Sequence, residues 1–350
     1  MNWSRSGPGQ CSSYAFTLMK SNSLLSLVLL LAALTARSEV SRTQTIVLQK
    51  GWNSVFLQVS PTNRDPNAVF ANTPIEIVAT YFALEKAVQY IQNPGSIGWN
   101  KEGWSVWYAS NRSDAFLSSL HAVHGNRAFL IFSKQDFAWV VSGKVAFAPT
   151  RWKNDSFNFV GFGLDDNASP TFDQFFAPSV AHQPYRIYRL VNSQWTQVAD
   201  PVRTTMRSGE ACWIYCKGAS DYQGPLRAGV QVGQGIDFGT ASEGWVSFAN
   251  QSTYPMNIRV ETVANDGGLP LGYTIRGITQ ASMLPVSAPL PASYQLQQLE
   301  AGESTSFWLK LRRESMTSPA QSTLLKITTD NGIQLWVPVT GIRRDLTAAQ

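Results

Sequence analysis

Apolar residues recur on every second position through much of the chain. Met256, Ile258 and Val260 alternate with polar neighbours. So do Phe307, Leu309 and Leu311, then Leu325 and Ile327, then Ile333, Leu335, Val337 and Val339. Successive side chains of a strand point to opposite faces, so each set predicts a strand with one face in a core. Asn331-Gly332 between the last two sets predicts a hairpin closed by a type I′ turn. Helical spacing is rarer and shorter. Asp65-Pro66 has N-cap and first-turn chemistry. Thr171 and Gln174 form a capping box, and Phe172, Phe175 and Phe176 give the following turn an apolar face. Phe116, Leu117 and Leu120 predict a further helix over residues 114–123.

Several of these landmarks occur twice. Gly51-Trp52-Asn53-Ser54-Val55-Phe56-Leu57 precedes Asp65-Pro66-Asn67-Ala68-Val69-Phe70-Ala71, and Gly125-Asn126-Arg127-Ala128-Phe129-Leu130-Ile131 follows. In the second copy, Ser156-Phe157-Asn158-Phe159-Val160-Gly161-Phe162 precedes the Thr171 helix, and Gly209-Glu210-Ala211-Cys212-Trp213-Ile214 follows. Asn53 and Asn158 are 105 positions apart, and Phe70 and Phe176 are 106 apart. The first copy carries an insertion before its last strand, rich in Trp and Tyr. The fold expected is mainly β: two related β-rich repeats with short helices (residues 39–150 and 151–229), then a β-sandwich (235–341) and a short tail (342–350). About 107 residues with several alternating strands suit an immunoglobulin-like sandwich.

The Trp-Asn strand leading to a Gly-Glu-aromatic-Trp strand resembles the Gly-Trp-Asn-type repeats of secreted bacterial surface proteins, over about residues 45–229. Cys212 stands where those repeats often have an aromatic residue. Asp237-Phe238-Gly239, Val246-Ser247-Phe248-Ala249-Asn250-Gln251-Ser252, Leu299-Glu300-Ala301-Gly302-Glu303-Ser304 and Val337-Pro338-Val339-Thr340-Gly341 resemble hydin-type immunoglobulin-like domains. The first resemblance implies no assigned function, the second implies spacing or partner binding, and neither brings catalytic residues.

Residues 24–34, LLSLVLLLAAL, are too short to span a bilayer, which needs about 20 apolar residues. Lys20 precedes the run, and Ala36-Arg37-Ser38 offers the small residues of a cleavage site. Residues 1–38 therefore read as a signal peptide, with Met19 a better start than Met1. The mature chain is expected to be secreted or held at the cell surface, with no transmembrane segment. Only Cys212 and Cys216 would survive cleavage. Four positions along a strand span about 13 Å, beyond disulfide reach, so two semi-buried thiols are expected.

Charged residues make up 15% of the 350 positions, against about 25% in an ordinary globular chain. Together with 12 Trp and 44% hydrophobic residues, this excludes a charge-rich disordered polymer. The net charge of +5 owes three cations to the leader, which has no acidic residue. No basic run longer than Arg312-Arg313 or Arg343-Arg344 occurs, so nucleic acid is not an expected partner.

Catalytic chemistry is hard to assemble from what remains. His121 and His124 would need a third zinc ligand, and the only other histidine is His182. Asp165-Asp166-Asn167 offers oxygens to calcium, yet Asp and Asn in a turn also satisfy backbone. No phosphate-binding Gly loop and no Gly-x-Ser-x-Gly elbow occurs. No catalytic residue, metal or cofactor is expected. Aromatic residues give the sharper candidates. Trp99, Trp104 and Trp107 lie in the insertion, and Trp308 and Trp336 fall on the outward phase of their strands. Exposed indoles stack on sugar rings, whereas buried ones weld modules together. Trp308 and Trp336 are expected on one sheet face, covered by the second repeat. The function expected is a non-enzymatic surface or extracellular role in structure, adhesion or assembly, with a protein or glycan partner. The alternatives are a glycan-binding module using exposed aromatics and an extracellular hydrolase.

Overall fold

The computed structural model describes residues 40–82, 103–231, 233–264, 268–275 and 286–343. The expected leader, Trp99 and most of the tail lie outside them. The first third of the described chain forms β1 (Ser41–Leu48), β2 (Gly51–Leu57), β3 (Val59–Pro61), helix α1 (Pro66–Val69), β4 (Ile75–Tyr81), β5 (Trp104–Tyr108), β6 (Arg127–Ser133) and β7 (Phe137–Val145). The second contributes β8 (Ser156–Gly161), α2 (Phe172–Phe176), β9 (Ile187–Val191), β10 (Gln194–Gln197) and β11 (Ala211–Cys216). The last contributes β12 (Leu226–Val230), β13 (Ile236–Asp237), β14 (Glu243–Asn250), β15 (Ile258–Ala264), β16 (Leu271–Ile275), β17 (Val286–Pro289), β18 (Ser293–Gln295), β19 (Ser304–Leu311), β20 (Ala320–Thr329) and β21 (Gln334–Ile342).

Two four-stranded sheets share one topology. The first runs β2-β6-β4-β5 and the second β8-β11-β9-β10. In each, the Asn-bearing strand lies at the edge and pairs antiparallel with the strand that follows the helix and the middle hairpin. Asn53 faces Ile131 and Asn158 faces Ile214 across these pairs. The two asparagines also do the same work. Asn53 Nδ2 donates to the carbonyls of Gln49 and Gly51, and its Oδ1 accepts from Gln49 N. Asn158 Nδ2 donates to the carbonyls of Lys153 and Ser156, and its Oδ1 accepts from Lys153 N. Each side chain ties down the turn that feeds its strand.

The two sheets bury one face against each other. Ile77, Ala79, Val106, Ala128 and Leu130 of the first meet Phe157, Phe159, Ala211 and Trp213 of the second. Backbone closes the seam: Phe56 N donates to Gly209 O at 2.7 Å, and Val55 bridges Glu210. On its outer face the first sheet packs against a smaller sheet, β1-β7-β3, around Val55, Leu57, Phe70, Phe129, Ile131, Trp139 and Val141.

The second sheet instead receives α2. Thr171 and Gln174 make both bonds of the capping box, and Phe172, Phe175 and Phe176 are fully buried. His182 closes this cluster at 4.2 Å from the Trp152 ring, its Nδ1 hydrogen-bonded to Ser179 Oγ. Burial pushes its pKa from 6.5 down to about 4. The unfolded chain therefore takes up this proton at a higher pH than the folded one. His182 is expected to withdraw stability as pH falls from 6.5 to about 4, with no effect above that window. Urea unfolding of the native chain and a His182→Leu variant across pH 4–8 measures it. A variant as acid-sensitive as the parent contradicts the assignment.

The helix expected over residues 114–123 does not form. One 3-10 turn, Ala115–Leu117, is followed by extended chain against the edge strand β5. Ser118 and Ser119 hydroxyls accept from Tyr108 N and Val106 N, and Ser119 N and Leu120 N donate to Val106 O. The backbone needs of an edge strand, met by two serines, outweigh the weak helical spacing.

The remaining strands form a sandwich of two five-stranded sheets, β12-β14-β19-β16-β17 and β13-β21-β20-β15-β18. Val246, Phe248, Leu309, Leu325, Ile327 and Val337 fill it. Leu226–Val230 pairs with β14, so this layer begins before Gly235. The β20–β21 hairpin is present, but not with the expected type I′ turn. Gly332 alone turns left-handed, at φ 78°, after a Gly332 N to Thr329 O bond. This is a type I turn followed by a left-handed glycine. Asn192 and Ser193, between β9 and β10, have the paired positive φ of type I′.

Candidate functional site: a polar groove and its inner junction

The aromatic platform does not assemble. Trp107 is buried in the first repeat, its Nε1 donating to Asn67 Oδ1 at 3.0 Å and its ring 5.0 Å from Phe70. Trp104 packs between the repeats, with ring centres 5.3 Å from Tyr81 and 6.1 Å from Trp213. Trp308 and Trp336 are outward on their strands, as phase requires, but they belong to opposite sheets of the sandwich. They share no face. Trp308 is half-buried beside its cross-strand partner Trp245, at 6.2 Å. Trp336 is covered by the layer of β1–β7. It packs with Leu324 against the core that holds Val40, Ile46 and Trp139, and the Arg42 guanidinium lies 4.7 Å from its ring centre.

The second repeat meets the sandwich elsewhere. Chain continuing from β8 runs beside the β20–β21 turn: Gln334 N donates to Gly163 O, Leu164 bridges Ile333, and Asp165 N donates to Gly332 O at 2.9 Å. The Asp165 carboxylate caps its own turn by accepting from Asn167 N and Nδ2. That is the turn chemistry open to these residues from the start. His121 and His124 are exposed in the extended segment, and His182 is buried in the α2 cluster. Among the described residues no three His, Cys, Asp or Glu side chains gather as a metal site. Cys212 and Cys216 are free and buried, and burial first raises both thiol pKa values, that of Cys216 to about 11. Thiols so held are inert at neutral pH.

A different concavity is more informative. Two strand edges, β1 and β2, face the second repeat across a groove of about 800 Å³. Its walls are strongly polar. Gln44, Gln49, Lys50, Trp52, Asn53 and Ser54 stand on one side, and Asp166, Asn192, Ser193, Arg207 and Glu210 on the other. The inner wall is held rigid. Gln44 Nε2 donates to Phe56 O, and its Oε1 accepts from Gln58 N at 2.8 Å. Glu210 is bound in a fork by Arg189. At the inner end, Arg42, Gln58 and Gln334 also line a second cavity of about 100 Å³ where both repeats and the sandwich meet.

Trp52, Trp245 and Arg42 were not among the sequence candidates. Arg42 had a signal: together with Gln44 it occupies the inward phase of β1 ahead of Ile46 and Leu48. Polar residues on a core-facing phase break the local pattern, and such breaks concentrate at functional or strained sites.

No family model and no curated protein matches the chain. Among solved structures, the seventh PapD-like domain of human CEP192 is similar at 8% identity and a TM-score of 0.22, covering 34% of this chain and 85% of that one. The SafA pilin with the SafB chaperone of Salmonella enterica is similar at 12% identity and 0.23, covering 35% and 55%. A FixG-related protein of Vibrio parahaemolyticus follows at 13% identity and 0.22, covering 34% and 97%. The chain thus spans about half the length of the pilin–chaperone chain that it matches. At these scores the similarities assign no residue and no activity.

Proposed function

We propose that the chain is an exported, non-enzymatic protein of the cell surface or extracellular space, with a structural, adhesion or assembly role. In this reading two Gly-Trp-Asn-type repeats precede a hydin-type immunoglobulin-like domain. The observation that carries it is the weld between layers. Leu324 and Trp336 complete the core of the first repeat, and Ile333 and Gln334 extend the second. Aromatic residues are spent on holding the layers as one block, which suits a part that transmits position or load. The test expresses the full chain with its first 38 residues in a bacterial host. The N-terminus of the product is then read by mass, and the purified chain is assayed for binding to bacterial surface fractions and for turnover of ester, glycoside and peptide substrates. A processed chain that binds and does not turn over is expected. Retention of the uncleaved chain in the cytoplasm, or steady turnover, sinks the reading.

A second reading, glycan binding, is favoured by the groove itself. It offers a half-buried indole, Trp52, among amides and hydroxyls, which is the lining a saccharide needs. Trp52→Phe, which keeps a ring against Phe132, would then lower saccharide affinity in titration calorimetry while leaving the melting temperature near that of the parent.

A further inference from the structure

Among the described residues, Arg42 has no acidic partner. Its Nη2 donates to Gln58 Oε1 and its guanidinium covers the Trp336 ring. Its Nε has no protein acceptor and no exposed surface, and the same is true of Trp336 Nε1. Both residues line the 100 Å³ cavity at the junction. The rest of that lining is apolar or neutral: Phe56, Phe147, Phe162, Phe175, Ile333 and Leu335, with a few amides and backbone. Among the described residues no Asp or Glu lines it and no carboxylate forms an ion pair with Arg42. Burial lowers the Arg42 pKa to about 10, which still leaves it charged at neutral pH.

Each buried N–H without an acceptor is costly, and more so when it belongs to a charged group such as the partly buried Arg42 guanidinium. The usual remedy is a carboxylate from the same chain, and none of the described residues supplies one. We propose that this junction is a binding site for a small monovalent anion, a halide or a carboxylate group, which accepts hydrogen bonds from Arg42 Nε and Trp336 Nε1. The cavity exceeds the space that a single water-sized occupant needs, so a small anion fits. Arg42 belongs to the first repeat and Trp336 to the sandwich, and Phe162 and Phe175 of the second repeat form the wall. The bound anion is thus a fastener for all three layers. Arg42, Gln58 and Gln334 also line the open groove, which gives the ion a route in and lets a carboxylate on a larger ligand reach the same donors. The inference stands apart from the proposed surface role and survives its failure.

The test follows the ³⁵Cl NMR linewidth of chloride titrated into the purified full chain, with acetate as competitor. Melting temperature is followed alongside. Saturable broadening is expected, with stabilisation that grows as the logarithm of anion concentration and reaches several degrees, about 4 °C at a hundred times the dissociation constant. Arg42→Met removes both responses. Trp336→Phe keeps the ring and deletes one donor, weakening binding about tenfold. It also keeps the test alive if Arg42→Met fails to fold. Broadening abolished by millimolar acetate identifies a carboxylate as the preferred occupant, whereas broadening that acetate leaves unmoved identifies the free halide. The proposal is overturned if the parent shows neither broadening nor anion-dependent stabilisation, or if Arg42→Met responds as the parent does. Either result assigns the two donors to ordinary buried water.

Discussion

Replacing Glu210 with Ala is expected to lower the unfolding free energy by about 3–5 kcal/mol, the usual result of removing one partner of a buried pair. Arg189 is only 8% exposed. Its Nε donates to Glu210 Oε1 at 3.1 Å and its Nη2 to Oε2, so the planar fork matches the carboxylate at both oxygens. Without the carboxylate, the guanidinium keeps only Thr205 O at 3.5 Å and the Phe172 ring. The cost falls on a seam, because the backbone of Glu210 also bridges Val55 of the other repeat. The pair is a poor source of stability in itself, since apolar replacement of both partners is often neutral. Arg189→Met combined with Glu210→Leu should therefore recover most of the loss. Urea unfolding of the four forms makes a double-mutant cycle. A double variant as unstable as Glu210→Ala would refute the account.

Gly332→Ala should open the contact between the second repeat and the sandwich. Gly332 has φ 78°, a left-handed conformation that costs other residues about 1 kcal/mol or more. An added Cβ would stand 1.9 Å from Ala168 O and 2.6 Å from Ala168 C. Backbone cannot rotate away as a side chain can, so residues 165–170 must shift. That shift breaks the Asp165 N to Gly332 O bond and strains the Leu164–Ile333 bridge. A loss of about 2–4 kcal/mol is expected from strain and overpacking together. Hydrogen exchange should localise it: the amides of Asp165 and Gln334 should lose protection while the core amides of β14 and β19 keep theirs until global unfolding. Uniform loss across all layers would contradict a local opening.

The sequence made local chemistry easy to read and long-range partnership hard. The capping box at Thr171, the turns that enter strands at Asn53 and Asn158, and the apolar phases of β19, β20 and β21 all depend on neighbours within a few positions, and each is present as expected; the matching bonds of the two asparagines were not foreseen. Asn331-Gly332 marked the hairpin correctly. Its turn type went to the alternative that uses one left-handed residue, which lets Gly332 also receive Asp165. The segment after Asp114 went astray because three apolar residues at helical spacing do not reveal that β5 is an edge strand in need of partners.

The tryptophans failed for a related reason. Strand phase says on which side of its own sheet a ring lies and nothing about what lies beyond. Trp308 and Trp336 were rightly placed outward, yet they stand on opposite sheets, and only the fold shows that the first repeat covers Trp336. Arg42 was overlooked because a lone arginine in an alternating strand reads as solvent-facing. The inward phase it shares with Gln44 was the available clue.

Leu324 and Val40 sit in the same core, and this sets an order of events in time. The β1–β7 layer cannot complete the burial of its apolar surface until the β20–β21 hairpin, far along the chain, has docked on it. Contacts this distant in sequence carry a large loop-closure entropy and slow the search for the native state, as in other all-β topologies. Until that hairpin docks, apolar surface of this layer around Val40 and Ile46 lies open, the condition that invites association with other chains. The chain is thus most vulnerable to aggregation before that hairpin has docked, and a chaperone that shields the apolar surface of the β1–β7 layer over that interval would raise the yield of native protein.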